Sequence, residues 1–192
     1  MDDLRDNPRL SLDELRLLVA RAKSGDSNAF ARLYGQYLTP LYRYVLFRVR
    51  RREDAEDLTQ TLFLKAFESL ECYRDTGVPF SAWLYTIARN LIIDYFKKKK
   101  PVRLEDQEVL CENLIEPMYT AERDAVGGEE RHLLARALSG LSEIEQTVVI
   151  MRSIDERSYE EIAITVGKSE EAVRAIKHRA LVRMQKVAQK YK

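Results

Sequence analysis

Residues 158–184 read SYEEIAITVGKSEEAVRAIKHRALVRM, and this stretch decides the fold. Ser158 followed by Glu161 is a capping box, so a short helix starts there. Gly167 permits the left-handed backbone of a tight turn, and Ser169 is placed to cap a second, longer helix. Ala163 is small where two helices would cross closely. Val173 and Ile176 supply the apolar contacts that lock the second helix onto the first. A small residue, a glycine four later and apolar residues ten and thirteen later form the packing pattern of a helix-turn-helix. The outer face of the second helix would then carry Arg174, Lys177, His178 and Arg179, with Ser169 and Glu171 in its first turn. The basic side chains can donate to phosphates and to guanine edges in a major groove. An ordinary helical hairpin with a solvated basic face is the competing reading. The glycine spacing and the concentrated positive charge, occurring together, favour DNA reading.

Working outward, the rest of the chain is also helical in pattern. Leu15, Leu18 and Ala22 lie three and four apart behind the capping box Ser11–Glu14. Ala29, Leu33 and Tyr37 continue in a second helix. Ala55, Leu58, Leu62 and Ala66 mark another, as do Leu84, Ile87, Leu91 and Tyr95. Leu134, Ala137, Leu138 and Leu141 form one stripe, and Ser142 with Glu145 caps the next helix. No alternating strand pattern competes, and seven Gly with five Pro in 192 residues favour long helices over a turn-rich β fold. The expected fold class is all-α.

Charge divides the chain into blocks. The formal net charge is only +1 although 33% of residues are charged, so the distribution matters more than the total. Pro101 to Glu130 holds nine acids against two bases, together with Pro117 and Gly127-Gly128. This reads as an acidic linker. Four lysines, Lys97 to Lys100, precede it. The chain end, Lys168 to Lys192, has eight Lys or Arg against two Glu. The expected organisation is a helical domain over 10–100, a linker over 101–130, and a winged-helix-like helix-turn-helix domain over 131–190.

Between Tyr73 and Lys100 aromatic residues alternate with bases: Tyr73, Arg74, Phe80, Trp83, Tyr85, Arg89, Asn90, Tyr95, Phe96, then the lysines. Aromatic faces stack on unpaired bases while cations track a backbone. Helical spacing puts Tyr85, Arg89 and Phe96 on one face and Leu84, Ile87 and Leu91 on another. For Trp83, packing in the core competes with stacking on a base. Gly77 and Pro79 make Tyr73–Phe80 a shaped loop. Upstream, Glu53, Asp54, Glu56 and Asp57 open a helix where acids suit the dipole. Gln60 and Phe63 lie off its core stripe, where they could dock a partner helix or simply face solvent.

Four segments carry a family resemblance. Gly25-Asp26-Ser27-Asn28-Ala29-Phe30-Ala31-Arg32-Leu33-Tyr34 resembles the opening of extracytoplasmic-function (ECF) sigma factors. Ala55 to Phe63 resembles their polymerase-binding segment, Phe80 to Tyr95 their promoter-melting segment, and Tyr159 to Ala163 with the following helix their −35-reading helix-turn-helix. The resemblance runs from about Leu15 to Val187, and four motifs in this order are highly specific. It implies core RNA polymerase as a partner, through the β′ clamp helices and the β subunit, with contacts at Asp54, Asp57, Gln60, Phe63 and Leu64. It implies −10 promoter DNA contacts at Tyr73, Arg74, Phe80, Trp83, Tyr85, Arg89, Asn90, Lys97 and Lys98, the Tyr73–Phe80 loop holding a flipped base. It implies −35 contacts at Ser169, Glu171, Arg174, Lys177, His178 and Arg179. An anti-sigma factor is an expected partner by resemblance alone, with control by expression level as the alternative. One departure stands out. Relatives often have Gly-Thr-Val, a base, Ser-Arg and an apolar residue in the recognition helix, whereas here Glu171-Ala172-Val173-Arg174 leads into Ala175-Ile176-Lys177. The −35 sequence therefore does not transfer from relatives.

Two other function classes are weighed against this. A free-standing helix-turn-helix regulator would bind operators unaided, and it leaves the aromatic-basic stretch and the Asp57–Gln60 helix without a role. An enzyme is the poorest reading. The chain has only His132 and His178, no metal-ligand cluster, no phosphate-cradling glycine loop and no nucleophile motif. No catalytic residue, metal or cofactor is expected. Cys72 and Cys111 form no CxxC pair, which suits a reducing compartment. No apolar run reaches the ~18 residues of a membrane span, and Met1 to Leu10 does not read as a signal peptide. The expected location is the cytoplasm, at the nucleoid when bound to polymerase.

Overall fold

The computed structural model describes residues 10–74, 77–98 and 128–190, with the side chains of 128–132 and 135 outside that description. Eight α-helices are present among them, and no strand, so a wing beside the helix-turn-helix has no counterpart among the described residues. Most of the expected acidic linker lies outside the described residues. Its last three positions belong instead to the first turn of a helix that begins at Gly128.

The first unit comprises α1 (Leu12–Lys23), α2 (Ser27–Val49), α3 (Arg52–Glu68) and α4 (Phe80–Lys98), with a 3₁₀ turn at Leu70–Cys72. Local chemistry sets each start. Ser11 and Glu14 make the reciprocal capping box of α1, and Asp26 accepts from the backbone N–H groups of Asn28 and Ala29 to cap α2. Of the sequence stripes, Leu18, Ala22, Ala29, Leu33, Tyr37, Ala55, Leu62 and Ala66 are buried, and Leu15 and Leu58 are partly buried against the core. The last turns of α2 differ. Every residue from Tyr44 to Val49 is buried, Arg48 included. A helix buried all round must be covered on both sides.

The second cover comes from the other unit: α5 (Gly128–Ser139), α6 (Glu143–Val149), α7 (Tyr159–Val166) and α8 (Glu170–Gln189). Capping boxes at Ser142–Glu145 and Ser158–Glu161 start α6 and α7. Gly167 adopts φ 67° and ψ 44°, the left-handed turn of the helix-turn-helix. Val173 is fully buried behind it and Ile176 packs against the core. Past Val149, α6 widens into a π turn, Ile150–Ile154. The turn is closed by the Asp155 N–H on the Ile150 carbonyl (3.1 Å) and the Arg157 N–H on the Met151 carbonyl (2.8 Å). Glu156 sits at φ 53°. π turns interrupt a regular helix and recur at functional positions; here the turn delivers Asp155 to the first unit.

The two units pack directly, α4 against α7 and α2 against the π turn. Their seam is polar. Asp155 is 5% exposed. Its Oδ1 accepts from Arg43 Nε (3.1 Å) and Nη2 (2.5 Å), and its Oδ2 accepts from the Tyr85 hydroxyl (2.7 Å). Arg48 donates to Thr147 Oγ1 (2.6 Å) and to the Glu143 carbonyl (3.0 Å), and Tyr44 meets the same Thr147 hydroxyl at 3.2 Å. Burial pushes the Asp155 carboxyl above its ordinary range, against the pull of Arg43 and the Tyr85 hydroxyl. Burial and the Asp155 charge hold the Tyr85 hydroxyl well above its usual range, so it stays a donor.

Replacing Gly167 tests the turn. Nothing lies within 4 Å of a Cβ built there, so the cost of Gly167→Ala is conformational, about 1–2 kcal/mol for a left-handed alanine. Thermal unfolding should show that loss, and Gly167→Asn should show less.

Candidate polymerase and nucleic-acid interface

On α3 the expected docking residues divide by depth. Asp57 and Gln60 are exposed, and Leu64 is 58% exposed. These three share one helix face at spacings of three and four. Asp54 and Phe63 do not join them. Asp54 turns toward α4, accepting from the Tyr95 hydroxyl (2.7 Å) and facing Arg51 at 3.4 Å. Phe63 is buried with its ring 4.4 Å from that of Tyr34. The sequence reading missed Phe67. It is 55% exposed, sits edge-on to Phe30 at 4.9 Å, and extends the Asp57–Gln60–Leu64 row by one turn. The same three-four spacing, carried one step further, would have found it.

The aromatic-basic stretch also separates into packed and open residues. Tyr73, Phe80 and Trp83 form one cluster with ring centroids 5.2–5.4 Å apart. Tyr73 and Phe80 are buried, and Trp83 is half-buried beside them. The Tyr73 hydroxyl donates to the Val78 carbonyl (2.8 Å), which closes the loop, and Lys23 Nζ from α1 holds the Tyr73 carbonyl at 2.8 Å. Tyr73 and Phe80 therefore shape the loop rather than offer stacking faces. Tyr85 is fully buried on Asp155, so the expectation of an exposed Tyr85 face is corrected. Arg89 is half-buried, 3.5 Å from the Glu143 carboxylate. Arg74, Asn90, Lys97 and Lys98 are exposed, and with Phe96, 45% exposed, they form the open basic end. Beside the loop lies a cleft of about 580 Å³, walled by Leu15 and Val19 of α1, Tyr37, Phe80, and Arg157 and Glu161 of the second unit.

In the helix-turn-helix, the Ser169 hydroxyl accepts from the Ala172 N–H (3.2 Å) and caps α8. The Glu171 backbone N–H and the Ser169 hydroxyl hold the Glu171 carboxyl below its ordinary range, so it stays charged in the first turn. Glu171, Arg174, Lys177 and His178 fall on one side of α8. Arg174 is exposed but oriented: it pairs with Glu170 at 2.7 Å and lies 4.7 Å over the Tyr159 ring, whose environment Arg152 shares at 4.8 Å. Arg179 lies roughly 140° around the helix from Arg174. It acts on Glu145 of α6 together with Arg183, which pairs with Glu145 at 2.9 Å. Arg174 and Arg179 therefore do not share one reading face.

Two family models match this chain in the order of the two units: Sigma-70 region 2 over residues 33–102 and Sigma-70 region 4 over residues 137–186. The chain is 36% identical over 178 residues to the ECF RNA polymerase sigma factor BldN of Streptomyces coelicolor, covering 91% of this chain and 66% of that one. It is 30% identical over 151 residues to the ECF RNA polymerase sigma factor SigW of Bacillus subtilis, covering 75% of this chain and 80% of that one. The chain belongs to the ECF RNA polymerase sigma factors. Members of this family are promoter-recognition subunits of RNA polymerase without catalytic activity of their own, and this ECF sigma factor is not an enzyme. The solved structure of CnrH in complex with the cytosolic domain of CnrY shares the fold over 94% of this chain and all of that one, with TM-score 0.72 and 24% identity. Among the described residues no helix is long and apolar enough to cross a membrane.

The divided face of α8 sets distinct outcomes for two substitutions. Arg174→Ala should cost about 1–3 kcal/mol of binding at one promoter position and relax specificity there. Arg179→Ala should weaken binding evenly across sequences, with a shallower salt dependence. Transcription from a randomised −35 library, read by sequencing, separates the two.

Proposed function

We propose that the ECF sigma factor divides promoter recognition among three surfaces. The α3 row Asp57, Gln60, Leu64 and Phe67 docks on core polymerase at the β′ clamp helices, with the β subunit a further contact of the holoenzyme. The open basic end of α4, with Arg74, Asn90, Lys97 and Lys98, tracks the non-template strand of the −10 element. The Tyr73–Phe80 loop holds a base flipped out as the duplex melts. The α8 face bearing Arg174, Lys177 and His178 reads the −35 element. The domains serving these roles are taken as 10–100 and 131–190, joined by the acidic linker. That linker's charge suits a path through polymerase otherwise used by nucleic acid.

The observation that carries this reading is the α3 row. Two large apolar side chains stand more than half exposed next to Asp57 and Gln60. Such a patch on a helix is a docking surface for another protein, which a free-standing DNA-binding regulator would not need. An anti-sigma factor is proposed as a competing occupant of the same surfaces. The working location is the cytoplasm, at the nucleoid in the holoenzyme.

Run-off transcription with core polymerase and a promoter library tests the function. Specific transcripts should appear only when chain and core are combined; their absence, or tight specific duplex binding by the chain alone, contradicts it. Within that assay, Gln60→Ala or Asp57→Ala should weaken core binding about tenfold, near 1.4 kcal/mol. Both side chains are exposed, so the melting temperature should not move.

A further inference from the structure

Arg174 brings the one guanidinium to the side of α8 that also carries Glu171, Lys177 and His178. A planar guanidinium presents a rigid fork of N–H groups that suits the O6 and N7 of a guanine. The ammonium of Lys177 and the imidazole of His178 have no such fork. How sharply this face reads a base therefore depends on where the Arg174 fork points. The side chain that carries it is long, and ordering it on DNA costs affinity.

Two contacts order it in advance. Nη2 donates to Glu170 Oε2 at 2.7 Å, four residues back on the same helix. The guanidinium carbon also lies 4.7 Å from the centroid of the Tyr159 ring, which belongs to α7. An exposed ion pair at this spacing holds weakly and is screened by salt. The ring adds attraction between the cation and the aromatic face, and its flat surface sets the plane of the fork, which the ion pair does not. The Arg174 side chain remains 51% exposed, so the two contacts leave it room to meet a base edge.

Tyr159 is itself fixed. It opens α7 directly after the capping residue Ser158 and is half-buried against the core. A second guanidinium, that of Arg152 on the π turn, stands 4.8 Å from the same ring. Arg152 Nη1 donates to the Arg157 carbonyl at 2.8 Å, just before α7 begins. Of the two cations at the ring, Arg152 is half-buried and tied to the backbone, and Arg174 is the exposed one. Packing alone asks for an apolar body at position 159. It does not ask for an aromatic face under an exposed arginine of the next helix.

We propose that Tyr159 is a specificity-determining positioning residue: it fixes the plane of the Arg174 guanidinium before DNA arrives, and so sets how sharply one position of the −35 element is read. Tyr159 acts through Arg174 and need touch no base. The proposal rests on the reading of the Arg174 face as the −35 contact.

The test is transcription by core polymerase reconstituted with the full chain, from a promoter library randomised over the −35 element. Arg174→Ala locates the position concerned, as the one whose base preference flattens. Tyr159→Leu should lower the preference at that same position about two- to fivefold, matching a cation–π contact at an exposed site, and leave the other positions unchanged. Tyr159→Phe, which keeps the ring, should retain the full preference. The double variant Arg174→Ala/Tyr159→Leu should be no flatter there than Arg174→Ala alone. Base preference is a ratio within one reaction, so a loss of folded protein lowers all transcripts alike and does not imitate a loss at one position. A Tyr159→Leu chain that keeps the preference, that loses it equally at every position, or whose loss is shared by Tyr159→Phe, overturns the positioning role. So does a double variant flatter than Arg174→Ala. With Arg174→Ala flattening one position, those results leave the −35 reading standing. An Arg174→Ala chain that flattens no position removes the −35 reading of this face and the positioning role together.

Discussion

A single buried carboxylate organises the relation between the halves of this molecule. Asp155 accepts from Arg43 on one oxygen and from Tyr85 on the other, and it can do so because a π turn carries it out of the α6 axis. Burial of a charge is costly unless it is paired and hydrogen-bonded. Its raised pKa shows the balance: a carboxyl shifted upward in the packed state contributes stability present at low pH and lost as pH rises through the raised value. At neutral pH the ionised group therefore depends on Arg43 and Tyr85 both staying in place. Removing either partner leaves an uncompensated buried group, which is strongly destabilising.

Around that seam the two helical units are conventionally built. Each has caps at its helix starts and an apolar stripe turned inward. What the stripes leave outside includes the Asp57–Gln60–Leu64–Phe67 row on α3, the basic end of α4 and the Arg174 face of α8, the three surfaces proposed to carry function. The arrangement suits an ECF sigma factor, which must hold a protein and two stretches of one promoter with a small chain. None of the three surfaces requires catalysis. Each, as proposed, would work by presenting side chains of the right kind on a rigid helix.

Much of this was legible in the sequence, because it rests on local rules. Ser11–Glu14, Ser142–Glu145 and Ser158–Glu161 all form the capping boxes their spacing announces, and Gly167 adopts the left-handed turn expected of it. The failures share one cause. The spacing and neighbours of Tyr73, Phe80 and Tyr85 fit a strand-binding surface, yet all three are buried. Tyr85 is buried by a unit distant in sequence, through groups that carry no hydrophobic period. A polar seam made of Arg43, Arg48, Thr147 and Asp155 leaves no pattern in a single chain, since each of these residues looks like an ordinary surface residue. Leu64 and Phe67 invert the problem: they fit a helix period but face outward, where the proposed polymerase contact would cover them.

The central claim is that Asp155 and Arg43 couple the two units energetically. A double-mutant cycle on the intact chain measures this directly, with Arg43→Ala, Asp155→Ala and the double variant compared in reversible unfolding. The account requires a coupling of about 1–3 kcal/mol, the range of contacting residues in a shared network. Additive effects within a few tenths of a kcal/mol would show that the seam does not hold the units together, and would contradict it.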